Sequence, residues 1–509
     1  MITLINPPGI KTFSGLQMHT PNPPLGLAYI AGALKEAGLP YRVVDATGEA
    51  LDAVSPYPDR TDFMVQGLTI DALVARIDPA TTVVGIGCMF STLWPLTNRI
   101  ARAVREKFPE ALMVLGGEHG TAVPEHVLAA SPFDVVVLGE GEETFVALLR
   151  AHAAGQPLTD VRGIAIRRDG QVVKTGLSTR RRDVDAIAPP DWDAFPIGEY
   201  IARHQINGIN LGRSMPILGT RGCPFQCTFC SNPGMWTQRW IARDPRALAD
   251  EMERYVRAYG VSNFDFQDLT AIVKRQWIID FCRELIRRDL RVTWQMPSGT
   301  RAEVFDAEVA DLLYRSGCRA LAFAPESGSP AILKAIKKQV DLAHMLTAMR
   351  AAVRRGLKLS CFIVIGFPDD TPATLRQTLR LVRKMAVLGV HDIAVSKFVP
   401  YPGSELFRRL QREGKIELDD AFFVSPMDFY TARAPSYADG VSSRRLYGTM
   451  LWMFVNFYVV SFALRPWRVV RALGRALLTG TEETRYAKWF VDVVYTRRRW
   501  RRLAGGVPS

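Results

Sequence analysis

The sequence lacks the features that mark exported, fibrous or disordered proteins. Its seven cysteines are an odd number and only three of them lie close together, which is unlike the paired spacing of a disulfide framework. The first residues have neither the basic start nor the apolar stretch of a signal peptide. No compositional bias or repeat indicates a collagen-like, low-complexity or solenoid chain. We therefore expect a cytoplasmic globular protein of roughly two to three domains.

The positive charge is unevenly distributed along the chain. The formal net charge is +13, and residues 441–509 carry 13 basic against 3 acidic side chains. Such a region can bind nucleic acid or an anionic membrane. No nucleic-acid-binding motif accompanies it, and it includes an apolar run that nucleic acid binding would not require. Nucleic acid is therefore not expected as a partner.

That apolar run, Leu446–Leu464, has 19 residues without a charge, which is the minimum length of a membrane span. Polar residues interrupt it, and its aromatic residues lie along it rather than at its ends. An interfacial or core-docking helix is therefore favoured over a span. The later segment Tyr495–Arg502 is basic and aromatic, which suits anionic headgroups. The pattern leaves open whether this region contacts the inner face of the membrane peripherally or packs on the rest of the protein.

Residues 1–155 alternate apolar runs with helical patterns, which is typical of a parallel sheet covered by helices. We expect a flavodoxin-like (Rossmann-type) α/β domain with strands at Ile2–Ile5, Tyr41–Val44, Thr82–Ile86, Leu112–Leu115 and Asp134–Leu138. Small residues follow these strands, and ligands of such sheets bind beyond the carboxyl ends of the strands. The alternative is that the glycines only make tight turns.

Residues 156–204 are expected to be a linker with one hairpin around Asp169-Gly170. Strand and helix patterns alternate again over residues 205–415. Residues 416–509 are expected to form a helical, basic C-terminal region. The alternation over residues 205–415 predicts a partial (β/α)6 TIM-like barrel. Its predicted strands are Ile217–Gly219, Asn263–Gln267, Val292–Met296, Ala320–Ala324, Leu359–Ile365 and Asp392–Phe398.

Three cysteines, Cys223, Cys227 and Cys230, cluster just after the first predicted strand of the barrel. Structural zinc sites usually have four ligands, and no second cysteine or Cys/His pair lies nearby. An iron–sulfur cluster held by three cysteines leaves one iron open to bind a cofactor or substrate. The spacing therefore favours such a cluster, with a zinc knuckle or three fortuitous cysteines as alternatives. The other four cysteines are isolated in apolar segments and are interpreted as buried hydrophobes.

The CxxxCxxC loop resembles the signature of the radical S-adenosylmethionine (SAM) superfamily, with an aromatic residue, Phe229, before the third cysteine. Further matching features follow the later predicted strands in order. These are Asp265–Asp268, Ser298–Arg301, Pro325–Gly328, Gly366–Pro368 and Pro400–Ser404.

The resemblance implies a [4Fe–4S] cluster whose open iron chelates SAM, and an external electron donor such as flavodoxin or ferredoxin. One electron would then cleave SAM to a 5′-deoxyadenosyl radical that abstracts hydrogen from an unactivated carbon. By position, Asp268 would hold the amino group of SAM, Arg301 its carboxylate and Glu326 its ribose. Each of these could instead be a solvated or structural charge. The SAM-binding residues implied in this way are Phe229, Asp268, Arg301, Glu326, Ser327 and Gly366.

The N-terminal domain resembles the cobalamin-binding domain that precedes many radical SAM barrels, in Pro23–Leu27, Leu115–His119 and Asp134–Thr144. The cobalt-binding DxHxxG motif of another cobalamin class is absent. His119 and His126 are expected to be loop or surface residues rather than cobalt ligands, and a domain that has lost the corrin is the alternative. The implied cobalamin-binding residues are Asn6, Pro7, Pro8, Gly87, Met89, Gly116, Gly117, His119, Glu140 and Gly141.

Together the resemblances favour C-methylation of a small-molecule or lipid substrate, in which one SAM methylates cobalamin and a second yields the radical. The first alternative is oxidative cyclisation or ring rearrangement of the anaerobic magnesium-protoporphyrin ester cyclase type. The second is a non-catalytic cobalamin-binding or membrane scaffold protein. No acid or base in the sequence is assigned a catalytic role, and the substrate is left open among lipids, porphyrins, peptides and antibiotic precursors.

Overall fold

The computed structural model describes residues 1–12, 21–58, 60–178 and 180–479. Within them the chain forms two large sheets, one in each half, with helices packed against them. The strands are β1 (Ile2–Asn6), β2 (Gly9–Thr12), β3 (Tyr41–Asp45), β4 (Val54–Tyr57), β5 (Arg60–Gln66), β6 (Val83–Gly87), β7 (Leu112–Gly116), β8 (Val135–Val137), β9 (Ile164–Arg168), β10 (Gln171–Lys174), β11 (Ser214–Ile217), β12 (Thr220–Arg221), β13 (Ile241–Ala242), β14 (Asn263–Phe266), β15 (Thr293–Thr300), β16 (Cys318–Glu326), β17 (Lys358–Ile365) and β18 (Asp392–Lys397).

The helices connect these strands and continue beyond the last one. They are α1 (Leu25–Glu36), α2 (Ile70–Arg76), α3 (Trp94–Lys107), α4 (Glu118–Ala122), α5 (Pro124–Ala130), α6 (Glu142–Ala153), α7 (Ile197–Ala202), α8 (Asn232–Met235), α9 (Pro245–Tyr259), α10 (Arg275–Arg287), α11 (Ala307–Arg315), α12 (Pro330–Ala335), α13 (Leu342–Arg355), α14 (Pro372–Leu388), α15 (Glu405–Arg412), α16 (Asp420–Val424), α17 (Ser443–Leu464) and α18 (Pro466–Thr479).

The first sheet has the order β10-β9-β8-β7-β6-β1-β3. Its strands β3, β1, β6, β7 and β8 are parallel, and their order is that of flavodoxin, so the predicted fold is confirmed. The hairpin around Asp169-Gly170 is also present. Its strand β9 pairs antiparallel with β8, and β10 pairs antiparallel with β9 at the edge of the sheet. The apolar runs form these strands because helices bury both faces of the sheet.

A small antiparallel sheet, β2-β5-β4, was not predicted. Its first strand, β2, begins directly after the loop that follows β1. Strand β2 pairs with β5, from Gly9↔Gln66 at one end to Thr12↔Phe63 at the other. Pro56 in the edge strand β4 and the polar start of β5 conceal the strand pattern in the sequence.

The second sheet has the order β11-β14-β15-β16-β17-β18, and all its neighbouring pairs are parallel. Among the described residues β18 does not pair with β11, so the barrel is open and the predicted partial (β/α)6 form is confirmed. The first strand ends at Ile217, two residues earlier than predicted. Pro216 lies inside it, which an edge strand tolerates because one side of its backbone needs no partner.

Local signals fix the barrel helices. Helix α9 starts at the N-cap Asp244, whose carboxylate accepts from two backbone amides, and ends at Gly260 in the left-handed conformation. Helix α14 begins with a reciprocal cap between Thr371 and Thr374 and ends at Gly389, which has φ +102°. These ends place each following strand at a defined height in the barrel.

Helix α17 packs along α14 and β18 on the outside of the barrel. One face is buried, and its residues are Leu446, Met450, Met453, Phe457 and Ser461. The helix is long and apolar enough to cross a membrane, but 28% of its most apolar window is buried inside the protein. The core-docking interpretation therefore holds for one face only. The basic segment Tyr495–Arg502 lies outside the described residues.

Candidate active site

The three clustered cysteines lie in a loop, residues 222–240, that we call the cysteine loop. Strands β12 and β13 close its base through the pairs Thr220↔Ala242 and Arg221↔Ile241. The loop opens at Gly222, which has φ +82°, and a Cβ there would stand 2.2 Å from the carbonyl oxygen of Arg239. Only glycine fits this position, because any side chain would force the two ends of the loop apart.

The cysteines of the loop differ from the other four in exposure. Cys223, Cys227 and Cys230 are partly exposed, whereas Cys88, Cys282, Cys318 and Cys361 are buried. This matches the interpretation of the four isolated cysteines as core residues. The loop thus gathers all the accessible thiols of the described residues into one place.

Burial raises the pKa of Cys223 and Cys227 and raises that of Cys230 to about 12, while the cations of Lys338 and Arg301 act to lower the first two. Since thiolates are the ligand form, binding iron must compensate for this cost. Among the described residues no three His, Cys, Asp or Glu side chains converge as a ready site for one metal ion. A four-iron cube spreads its cysteine-bearing irons over separate corners and requires no such convergence.

Two hydrogen bonds and one contact between aromatic rings anchor the middle of the cysteine loop to the barrel. The amide of Thr228 donates to the carbonyl of Ile336 at 3.0 Å, and its carbonyl accepts from the amide of Leu406 at 2.9 Å. The ring of Phe229 packs on Phe367 at 5.6 Å between centroids. The predicted residue Phe229 therefore supports the loop from behind, next to the segment that follows β17.

Arg301 is buried at the end of β15, close to the loop. Its guanidinium lies 3.7 Å from the ring centroid of Phe225, between the first and second cysteines. It also pairs with Glu303 at 2.6 Å and donates to the carbonyl of Gln339. Its Nε is buried without a partner, so this cation still has donor capacity for a ligand.

Glu326 closes β16 in a strained left-handed conformation with φ +60°. Its carboxylate accepts from Lys338 at 3.0 Å, and both side chains are buried. The Lys338 ammonium also lies 6.0 Å from the ring centroid of Phe229. Sequence reasoning missed Lys338, because no motif includes it and only the Lys337-Lys338 pair after α12 signals it.

The other residues predicted to bind SAM are already engaged. Burial raises the pKa of Asp268 to about 6, and its carboxylate accepts from Gly219 and Thr220 just before the loop. The hydroxyl of Ser327 bonds with Thr378 on α14 at 3.1 Å. Gly366 has φ +87°, and Leu446 of α17 lies against its α-carbon. Asp268 and Arg301 thus contact the segments around the cysteines, whereas Ser327 and Gly366 contact the helices outside.

The carboxyl edge of the first sheet offers a surface for a flat ligand. The space at Gly116 is open, with no atom within 4 Å of where a Cβ would stand, and at Gly87 only one backbone oxygen comes that close. Beside them Met89 and Phe90 expose 43% and 65% of their surface, unusual values for large apolar residues. This apolar shelf fits a corrin ring, whose binding would cover it.

The loop after β1 contributes little to this shelf through its side chains. Asn6 donates to the carboxylate of Asp45 at 2.7 Å. Pro7 and Pro8 are buried, and the carbonyl of Pro7 accepts from Thr47 at 2.9 Å. Their predicted contact with cobalamin stays a prediction.

The expectation that His119 is a loop or surface residue is wrong. Gly117 has φ +107° and turns the chain directly into α4, so His119 is helical and fully buried. Its ring stacks on Trp94 at 4.7 Å between centroids, and burial lowers its pKa to about 3. His126 is partly buried nearby. The imidazole of His119 therefore belongs to the core beneath the shelf.

The carboxyl edges of the two sheets meet at the cysteine loop. Glu118, at the start of α4, accepts a hydrogen bond from the hydroxyl of Ser231, which follows Cys230 directly. Burial raises the pKa of Glu118 to about 7. Sequence reasoning placed Glu118 in a motif but gave it no role, since its partner lies 113 residues away. The loop and the shelf therefore border the same space between the domains.

Sequence profiles of two families match this chain in order. The B12 binding domain matches residues 15–149, and the radical SAM superfamily matches residues 217–382. An uncharacterized methyltransferase of Pyrococcus horikoshii is 29% identical over 415 residues, which cover 80% of this chain and 82% of that protein. The anaerobic magnesium-protoporphyrin IX monomethyl ester cyclase of Cereibacter sphaeroides is 29% identical over 414 residues, which cover 80% of this chain and 63% of that enzyme.

A solved structure shares the whole architecture. The radical SAM methyltransferase TsrM from Kitasatospora setae, with cobalamin and a [4Fe–4S] cluster bound, superposes with a TM-score of 0.68 over 99% of both chains at 15% sequence identity. This chain thus carries a B12 binding domain ahead of a radical SAM domain, and these two domains imply cobalamin, SAM and a [4Fe–4S] cluster as its cofactors.

Proposed function

We propose that the protein is a cobalamin-dependent methyltransferase that adds a methyl group to an unactivated carbon of a small-molecule or lipid substrate. The observation that carries this proposal is the contact of the cysteine loop with the carboxyl edge of the first sheet, through Ser231 and Glu118. When bound, the three cofactors supply a carbon-centred radical and a transferable methyl group. The two reactive centres must face one cavity for the substrate to meet both.

The chain's own residues would bind, orient and shield these groups. Arg301 and Lys338 supply buried cations beside the cysteines, and Asp268 holds the segment before the loop. Met89 and Phe90 supply the apolar shelf. The SAM-binding and cobalamin-binding roles of individual residues stay predictions, as do the domain boundaries at residues 155, 204 and 415. A flavodoxin or ferredoxin is the proposed electron donor.

Oxidative cyclisation or ring rearrangement is the second candidate, favoured by the relative that is a magnesium-protoporphyrin ester cyclase. Methyl-labelled SAM separates the two reactions. We expect label in the product of the reduced, reconstituted enzyme. Unlabelled product together with 5′-deoxyadenosine would favour the cyclase type, and absence of SAM cleavage would favour a scaffold protein.

The cluster should depend on the accessible cysteines alone. We expect Cys227→Ala to lose the iron–sulfur absorbance and to reduce SAM cleavage to background, because a thiolate ligand is missing. Cys282→Ala is the matched control, since Cys282 is buried in the barrel core. Iron analysis and absorbance after anaerobic reconstitution measure both. Stoichiometric loss of iron from the control would contradict a single cluster at this loop.

Cobalamin should bind without a nitrogen ligand from the protein, because the nearby imidazole of His119 is buried against Trp94. The electron paramagnetic resonance spectrum of the cob(II)alamin form checks this. We expect no superhyperfine splitting from a protein nitrogen, and His119→Phe should leave the spectrum unchanged. Splitting that disappears in that variant would make His119 a cobalt ligand, and failure of any corrin to bind would indicate a vestigial domain.

We further propose that the cytoplasmic enzyme docks peripherally on anionic membranes through α17 and the segment after it. The outer face of α17 exposes Trp452 and Val459 by 54% and 61%, and Arg444 and Arg445 are exposed at its start. Arg465, at the other end of the helix, instead donates to carbonyls at the end of α14 at 2.8 and 3.1 Å.

Variants of the outer face test this docking better than truncation, because removal of α17 would uncover its buried face. We expect Trp452→Glu/Val459→Glu to reduce sedimentation with phosphatidylserine vesicles by about tenfold or more at moderate salt, since two apolar contacts are replaced by charges that the anionic surface repels. Leu177→Glu, an exposed apolar site elsewhere, is the control. Equal sedimentation of all three proteins would leave α17 a covering helix only.

A further inference from the structure

Four charged side chains form a buried cluster between the two domains, which we call the charge cluster: Arg180, Arg221, Glu140 and Glu142. The guanidinium of Arg221 reaches Glu140 at 3.3 Å and Glu142 at 2.7 Å. Arg180 reaches the other oxygen of Glu140 at 3.4 Å. The side chains expose only 5–12% of their surface. Two cations thus neutralise two anions away from solvent.

The members of the charge cluster belong to different parts of the molecule. Glu140 and Glu142 follow β8 at the carboxyl edge of the first sheet, whereas Arg221 ends β12, two residues before Cys223. Arg180 belongs to the segment between the two large sheets. The cluster therefore joins the cobalamin domain to the start of the cysteine loop.

Arg180 also reaches the far end of the cysteine loop. Its guanidinium donates to the carbonyl of Trp236 at 2.7 Å and to that of Arg239 at 2.6 Å. The ring of Tyr29, on α1 of the first domain, lies 4.7 Å from the guanidinium of Arg221. Both ends of the loop are thus held from one set of carboxylates.

These contacts change the expected role of Glu140. Both of its oxygens face guanidinium groups, so its carboxylate is engaged by protein rather than open to a corrin. Desolvating four charges costs free energy that their attraction only partly returns, so such clusters contribute more to a specific geometry than to stability. The planar guanidinium of Arg221 contacts Glu140 through one terminal nitrogen and Glu142 through the other, which fixes the distance and the orientation of the two carboxylates.

We propose that the charge cluster positions the cysteine loop against the cobalamin domain and thereby sets the separation of the two metal centres. Glu140, Glu142, Arg180 and Arg221 are then positioning residues that touch neither substrate nor cofactor. The order of the cysteine loop should depend on them before any cofactor binds.

Hydrogen exchange of the full-length protein without cofactors tests this independently of the reaction. We expect Glu142→Gln to raise the exchange rates of amides in residues 222–240 by about tenfold or more. The variant loses the charge-assisted bond to Arg221 and leaves the buried charge of Arg221 only partly neutralised. Glu143→Gln is the matched control: Glu143 is the next residue of α6 and pairs with Arg181 at the surface. Its loop should exchange as in the parent protein.

A second variant and a second measurement distinguish a local change in the cysteine loop from unfolding of the whole protein. Arg221→Lys keeps the charge but loses the two-pronged geometry, so we expect a folded protein with intermediate loop exchange. Once the protein is loaded with cobalamin and the cluster, the dipolar coupling between cob(II)alamin and the reduced cluster can be measured. We expect the distribution of this coupling to broaden in Glu142→Gln and to stay unchanged in Glu143→Gln. The proposal would be overturned if loop exchange and dipolar coupling matched those of the parent protein in Glu142→Gln, Glu140→Gln and Arg221→Lys. It would also be overturned for Glu140 if Glu140→Gln selectively lost corrin binding, because that residue would then belong to the corrin site.

Discussion

The constraint on which this molecule depends is the parallel alignment of strands in both large sheets. Parallel strands end at one edge, so every loop that follows one of these parallel strands emerges on the same side of its sheet. The glycines that end β6 and β7 therefore form one shelf, and Arg301 and Glu326 lie near the cysteine loop. Because the two edges face each other, a short contact such as Ser231 to Glu118 is enough to bring two cofactor sites together.

Much of this arrangement could be predicted, because buried parallel strands leave continuous apolar runs in the sequence. Helix α9 ends at residue types that sequence also signals, since Asp244 caps its start and Gly260 follows its last residue. The sheet β2-β5-β4 was missed because its short antiparallel strands carry proline and polar residues. His119 was misplaced because a Gly-Gly pair resembles a loop, whereas here it turns a strand directly into a helix.

The parts of the site that sequence could not supply are the contacts between distant residues. Three residues show this: Phe225, which contacts Arg301; Lys338, which pairs with Glu326; and Arg221, which pairs with Glu142. Nothing in the sequence distinguishes them from other residues of their type, because these contacts exist only in the folded chain. Motif matching finds residues that must touch a shared cofactor. It does not find residues that hold those residues in place, because many different pairs can do this work.

The charges around the cysteine loop are in place before any cofactor binds. Lys338 and Arg301 act to lower the pKa of Cys223 and Cys227 against the larger effect of burial, which favours the neutral thiols. The carboxylates of Glu326 and Glu303 balance these cations in the folded chain. A cluster held by thiolates and the carboxylate of SAM would bring further negative charge to the same cations. The cations are fixed by packing on Phe225 and Phe229, so little reorganisation is needed when that charge arrives.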